Sequence, residues 1–130
     1  MNPDFAYETA RLGDVLCEGF ADVTAEEVAA FRALMGYPED PSQTAAPSSI
    51  GLIFGLRLGW EYSIFPPGVV RTGDEDEFGE PARIGDRLRT QFRITEKFER
   101  KGRRFMNYEM RTMNQMDELV CSIRFVGMIP

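Results

Sequence analysis

The sequence predicts an α+β domain in which an antiparallel sheet covers an apolar helix. Three observations lead there. Helical signals are confined to the first half, and everything after Val69 reads as strand and turn. Residues 87–98 and 119–129 alternate with period two, the mark of half-buried strands. Residues 50–58 form a helical run that is apolar nearly all round, and such a helix is buried on most sides. A sheet wrapped around that helix supplies the cover.

The elements follow in chain order. Residues 10–22 (ARLGDVLCEGFAD) read as extended chain, with Gly13 and Gly19 as breakers. Thr24, with Glu27 three positions on, is a capping box: the Thr hydroxyl accepts the N3 amide and the Glu side chain reaches back. Val28, Phe31, Ala33, Leu34 and Met35 then supply an apolar face up to Gly36, which predicts a helix over 25–35. Residues 37–47 (YPEDPSQTAAP) contain three prolines and little periodicity, and read as a loop. Ser48 and Ser49 cap the second helix, whose apolar residues are Ile50, Leu52, Ile53, Phe54, Leu56 and Leu58 and which should end near Gly59. Residues 60–68 form a connection broken by Pro66 and Pro67.

In 87–98, Leu88, Thr90, Phe92, Ile94 and Phe98 share one face, while Arg87, Arg89, Gln91, Arg93, Thr95 and Lys97 share the other. Lys101-Gly102 makes a turn. Residues 103–115 carry two signals. Met106, Met110 and Met113 lie at helical spacing, whereas Phe105, Tyr108 and Thr112 favour a strand. Turn signals on both sides make this the third arm of a meander, so a strand is expected. Leu119, Cys121, Ile123, Phe125 and Ile129 form one face of the last strand.

Composition bounds the function. The 130 residues suit a single domain spanning 1–130, and 43% hydrophobic residues suffice for a core. Twenty-one acids against 15 Lys and Arg give a net charge of −6, which argues against nucleic acid as a partner. His is absent. That excludes Ser–His and Cys–His nucleophile pairs, a His general base and an imidazole metal site. Acid–base chemistry is left to carboxylates, Lys, Tyr, Cys or water. Cys17 and Cys121, without a CxxC, read as reduced thiols with no activating basic neighbours. The N-terminal MNPDFAYETA lacks a signal-peptide pattern, and the longest apolar run, 50–58, is far below the ~20 residues that span a bilayer. The expectation is a soluble, cytoplasmic protein with no membrane partner.

The ordering of elements, with four motifs, resembles the MaoC-like dehydratase and hydratase family, which has the hotdog fold. Arg11-Leu12-Gly13-Asp14 followed by Val23-Thr24-Ala25-Glu26-Glu27 resembles the family's opening. Pro81-Ala82-Arg83-Ile84-Gly85-Asp86-Arg87-Leu88 resembles its Pro-x-x-x-Gly-Asp approach to a strand. Lys101-Gly102-Arg103-Arg104-Phe105 and Asn114-Gln115…Glu118-Leu119-Val120 are similar to its last two strands. Residues 69–81 (VVRTGDEDEFGEP) are similar to the 3-hydroxyacyl dehydratase branch. The resemblance implies a dimer with substrate tunnels at its interface. It also implies acyl thioesters of coenzyme A or acyl carrier protein as substrates, water being added to or removed from the acyl chain, with no further cofactor and no metal. In active members an Asp and a His lie between the first helix and the central helix. Amides at the start of the central helix polarise the thioester carbonyl.

The chain departs from the family at that loop. Residues 36–47 contain no His and are shorter than the active members' segment. Setting Asp40-Pro41-Ser42-Gln43 against the family's Asn-Pro-x-His puts Gln43 at the His, and Pro38 then falls where the Asp belongs. Met116-Asp117 stands where the family has Asp-Gly, and Asp tolerates the left-handed turn position.

Each candidate site residue has a functional and a plain reading. Ser48 and Ser49 offer either amides to a thioester carbonyl or an ordinary helix cap. Glu39 and Asp40 are either a surrogate acid–base pair or solvated carboxylates. Trp60 and Tyr62 line a substrate tunnel or pack at the core's rim. Arg87, Arg89 and Arg93, with Lys97, pair across strands or dock coenzyme A phosphates or an acidic carrier protein. Asp74, Glu75, Asp76 and Glu77 are a solvated run or, on the strand that forms the family's dimer interface, a partner-recognition element. Together these readings describe a hotdog subunit that shapes an acyl-thioester site. The acid–base pair then sits on a sibling subunit, the alternatives being an active homodimer using Glu39 or Asp40, or a non-enzymatic acyl-thioester binder.

Overall fold

A computed structural model describes residues 7–38 and 44–130. Strand β1 (Val15–Asp22) leads into helix α1 (Ala25–Leu34) and helix α2 (Ile50–Glu61). Four strands follow: β2 (Val70–Phe78), β3 (Arg87–Arg100), β4 (Arg103–Met113) and β5 (Leu119–Ile129). All five strands form one antiparallel sheet in the order β1-β3-β4-β5-β2, with α2 against one face. The predicted α+β layout is therefore the observed one, including β4 as a strand.

The pairing β3–β4–β5 follows from the turns. Lys101 (φ 52°) and Gly102 (φ 74°) take the two left-handed positions that match the strands' twist. In the β4–β5 hairpin Asp117 holds the left-handed position (φ 58°), as expected of an Asp. There the Asn114 side chain accepts the N–H groups of Met116 and Glu118, both at 3.0 Å. On the face toward α2 lie Leu88, Phe92 and Ile94 of β3 and Met106, Tyr108 and Met110 of β4, each at most 1% exposed. The methionine stripe thus splits: Met106 and Met110 enter the core as strand neighbours of equal parity, and Met113 points to the opposite face.

The Gly-Asp motifs are structural. Gly85 (φ 97°) turns the chain, and Asp86 accepts the Arg83 N–H at 2.9 Å and the Gln115 side-chain N–H at 2.9 Å. The opening Gly13-Asp14 repeats the device, with Asp14 accepting the Arg11 N–H at 3.2 Å.

Both helices differ from expectation in detail. Thr24 caps α1 by accepting the Glu27 N–H at 3.2 Å. The Glu27 carboxylate lies 3.9 Å from Arg57 of α2, so it faces that helix while the Thr half of the predicted capping box is made. Of the apolar face expected on α1, Val28 and Phe31 are buried, whereas Leu34 is 82% exposed. Helix α2 runs two residues past Gly59 and is not covered on most sides. Its sheet-facing stripe is Gly51, Gly55 and Gly59, one residue per turn, flanked by Phe54. Ile53, Arg57 and Trp60 face away and are exposed, because one five-stranded sheet covers only one side of a helix.

Candidate functional site

The start of α2 is pinned by a short bridge between 44–46 and 82–84. The Ala46 N–H donates to Ala82 at 2.7 Å, and the Ile84 N–H to Thr44 at 2.8 Å. Ser48 and Ser49 form the turn before the helix. Ser49 occupies the cap position with helical backbone angles (φ −71°, ψ −11°) and makes no side-chain cap bond, which corrects the expected cap. The Ile50 N–H donates to Pro47, and that of Ile53 to Ser49. Among the described residues the N–H groups of Gly51 and Leu52 have no acceptor, as is usual in a first helical turn without a side-chain cap. The Gly51 backbone rests on β5, where a Cβ would stand 3.0 Å from the Cys121 sulfur.

At the far end of α2, Trp60 sits on the last turn, 68% exposed, with its ring 5.2 Å from Phe65. Tyr62 is the C-cap and half exposed. Phe65 connects Trp60 to Phe92, Tyr108 and Phe125 through ring contacts of 5.6–5.9 Å. The Tyr108 hydroxyl is buried without a hydrogen-bond partner. On the other flank of α2, a cleft of about 120 Å³ lies between β1 and the helix, with Gly19, Phe54, Arg57, Leu58 and Thr90 in its wall.

The acidic run lies on β2, an edge strand whose nine residues are all exposed. Its register splits the acids between faces. Asp74 and Asp76 stand opposite Phe125 and Ile123, hence on the α2 side, while Glu75 and Glu77 stand opposite Arg124 and Ser122. Arg71 bridges to Asp74 at 2.9 Å and lies 5.2 Å over the Phe125 ring. Desolvation, reinforced by a hydrogen bond that the protonated Asp76 carboxyl donates to Asp74 and by the charge of Asp74, pushes the Asp76 carboxyl above the ordinary Asp range. The sequence singled out the run of four acids, but not that Asp74 and Asp76 share the helix face. The signal is parity along β2, but it is readable only with the β5 pairing and the irregularity between Arg71 and Gly73.

The basic face of β3 divides. The Arg87 guanidinium stacks 4.6 Å over Phe20, away from the other two. Arg89 and Arg93 line a groove of about 350 Å³ on the sheet face opposite α2, together with Arg111, which sequence reasoning missed. Glu39 and Asp40 lie outside the described residues, as does Gln43. Cys17 and Cys121 are buried, and burial pushes both thiols up to about 11, as expected of inert cysteines. Among the described residues no group of His, Cys, Asp and Glu could hold a metal ion, and no helix is long and apolar enough to cross a membrane.

No protein-family model and no curated protein matches the sequence. Solved structures do match the fold. The (R)-hydratase from A. caviae involved in PHA biosynthesis aligns with a TM-score of 0.75 at 20% identity, over 95% of this chain and 99% of that one. The MaoC-like dehydratase from Rhodospirillum rubrum gives 0.74 at 20% identity, over 94% of each chain. The HadBC (3R-hydroxyacyl-ACP dehydratase) complex from Mycobacterium tuberculosis gives 0.66 at 18% identity, over 85% of this chain and 90% of that one. At such identities the likeness is one of architecture: the chain has the hotdog fold of these MaoC-like dehydratases and R-hydratases.

Proposed function

We propose that this chain is an acyl-thioester-binding hotdog subunit, the non-catalytic partner in a heteromeric enoyl-CoA hydratase or 3-hydroxyacyl dehydratase. The observation that carries the reading is the complete absence of His from a chain with this fold. Hydration needs a base to take a proton from water as its oxygen adds to the β-carbon, and an acid to return a proton to the α-carbon. Gln43 can do neither, so a sibling hotdog subunit supplies the Asp and His. The assembly of the HadBC neighbour as a complex supports a paired arrangement.

This chain's own part is binding and polarisation. The Gly51 and Leu52 N–H groups, at the positive end of α2 beside Ser48 and Ser49, would meet charge developing on the thioester oxygen. Trp60 and Tyr62 would take the acyl tail at the other end of the helix. The carrier is coenzyme A or acyl carrier protein.

A second reading has one specific observation in its favour. Asp76, held above its ordinary range on the helix face of β2, is a better acid–base candidate than an ordinary surface carboxylate, and it would serve an active homodimer.

The experiment is hydratase turnover on a crotonyl thioester, by the purified chain alone and after co-expression with a sibling hotdog subunit bearing Asp and His. No turnover alone and turnover with the sibling is the expected result. Turnover by the chain alone overturns the proposal. Its loss in Asp76→Asn would then assign the second reading, and its loss in Glu39→Gln or Asp40→Asn would assign the loop carboxylates. Binding of an acyl thioester with no activity in any pairing would leave a binder and no enzyme.

A further inference from the structure

The sheet face turned away from α2 carries an uneven charge pattern. Gln91 of β3 stands opposite Arg111 of β4, so Arg89 and Arg93, two residues to either side of Gln91, are diagonal neighbours of Arg111. Three guanidiniums thus surround one groove of about 350 Å³, closed by the Gln91 amide, Met113 and Glu109. Diagonal neighbours across a strand pair are within reach of long side chains, so this grouping of like charges is unfavourable unless something negative lies among them.

The nearby carboxylates do not fill that role. Glu109, opposite Arg93, turns its carboxylate to Arg124 at 3.1 Å and is itself largely buried. Asp117 reaches only Arg89, at 3.5 Å, from the exposed hairpin rim. Glu18 bonds the Gln91 amide and no guanidinium. Glu77 is separated from Arg111 by Ser122 of β5. Arg93 donates only to the Gln91 oxygen, at 3.2 Å, and Arg111 has no partner among the described residues. A chain with a net charge of −6 therefore keeps two guanidiniums clear of carboxylate contact inside one concave site.

We propose that the Arg89–Arg93–Arg111 groove binds a phosphate group of a small molecule. Guanidinium forks match phosphate oxygens bidentately, and a compact dianion set between three of them relieves their mutual repulsion. Met113 provides an apolar wall for whatever carries the phosphate. The site lies on the opposite side of the sheet from α2; it takes up the phosphate-docking reading of Arg89 and Arg93 with Arg111 in place of Arg87, and it stands or falls by direct binding, apart from any turnover. The phosphate is free or nucleotide-borne, and two probes separate these sources.

The test is calorimetric titration of the full chain with inorganic pyrophosphate and with adenosine 3′,5′-bisphosphate, at low and high salt. Saturable binding that weakens with salt is expected. Tighter binding of the nucleotide would assign a nucleotide-borne phosphate, and equal binding a free one. Arg111→Gln and Arg93→Gln should each weaken binding roughly tenfold or more, the scale of a lost charge-assisted hydrogen bond. Arg100→Gln, at the hairpin end of β3, should leave it unchanged. All three variants are on exposed side chains and should melt with the parent. No saturable binding of either probe, or equal weakening in Arg100→Gln, overturns the proposal.

Discussion

Tyr108 carries a buried polar group that its surroundings do not satisfy. Its ring stacks on Phe125 at 4.9 Å and meets Phe65 at 5.6 Å, while its hydroxyl is buried with no acceptor. Burial also pushes its phenol well above the usual Tyr range, so it stays neutral. A buried hydroxyl without a partner is destabilising by ~1–3 kcal/mol. Tyr108→Phe should therefore stabilise the chain by about 1 kcal/mol, read as a higher urea midpoint with an unchanged slope. A lower midpoint would show that a water or ligand normally pairs with that hydroxyl. At this scale the sequence was legible where a residue's role depends on near neighbours. Asp117 in its turn and the Asp86 bond to the Arg83 N–H in its Gly-Asp motif act within a few residues. It was not legible for Asp74, Asp76 and Arg111. Which face each joins depends on pairing with strands far along the chain.

Among the elements, α2 shows why an apolar run can mislead. Its leucines and isoleucines suggested burial all round, yet the surface pressed on the sheet is Gly51, Gly55 and Gly59. Small residues one turn apart let the helix axis approach the strands, and the larger side chains wedge in from the flanks. A Cβ on Gly59 would stand 2.9 Å from Phe65 and 3.1 Å from Phe92, both rings held in the aromatic cluster. Overpacking of this kind is destabilising by ~1–3 kcal/mol, and Ala regains up to about 1 kcal/mol of helix propensity. Gly59→Ala should thus lose about 1–2 kcal/mol in thermal or urea unfolding. Gly73→Ala, where nothing lies within 4 Å, should be silent in the same measurement. Equal behaviour of the two variants would mean that α2 does not sit so close to the sheet. The strands were easier to read, because their alternation is strict and their turns carry Gly, Asn and Asp at the reversals. The end of α2 was harder, since Gly59 looked like a stop and is a packing contact.

For the whole molecule, the open question is what completes the β2 edge. On the proposed partner arrangement, β2 of one subunit lies antiparallel beside the matching strand of another. In a homodimer Asp74, Glu75, Asp76 and Glu77 then face copies of themselves, two on each side of the sheet. Arg71 neutralises Asp74 within its own chain and has nothing left for a neighbour's acids. Like charges across paired strands are destabilising, and at these exposed positions salt screens them. The homodimer should therefore be weak and should tighten with added salt. Acid should tighten it as well. The Asp76 carboxyl is already raised by desolvation and by Asp74, so its repulsion is full above that raised value and fades as pH falls through it. Asp74→Asn and Asp76→Asn should tighten the homodimer at neutral pH. A sibling with basic residues on its matching strand should give the opposite salt dependence, binding tightly at low salt and loosening as salt rises. Sedimentation equilibrium across salt and pH, with both variants and with the sibling, measures all of these. A tight homodimer indifferent to salt, to pH and to both substitutions would make the acidic run a solvated face, and would leave selection of the partner to some other surface.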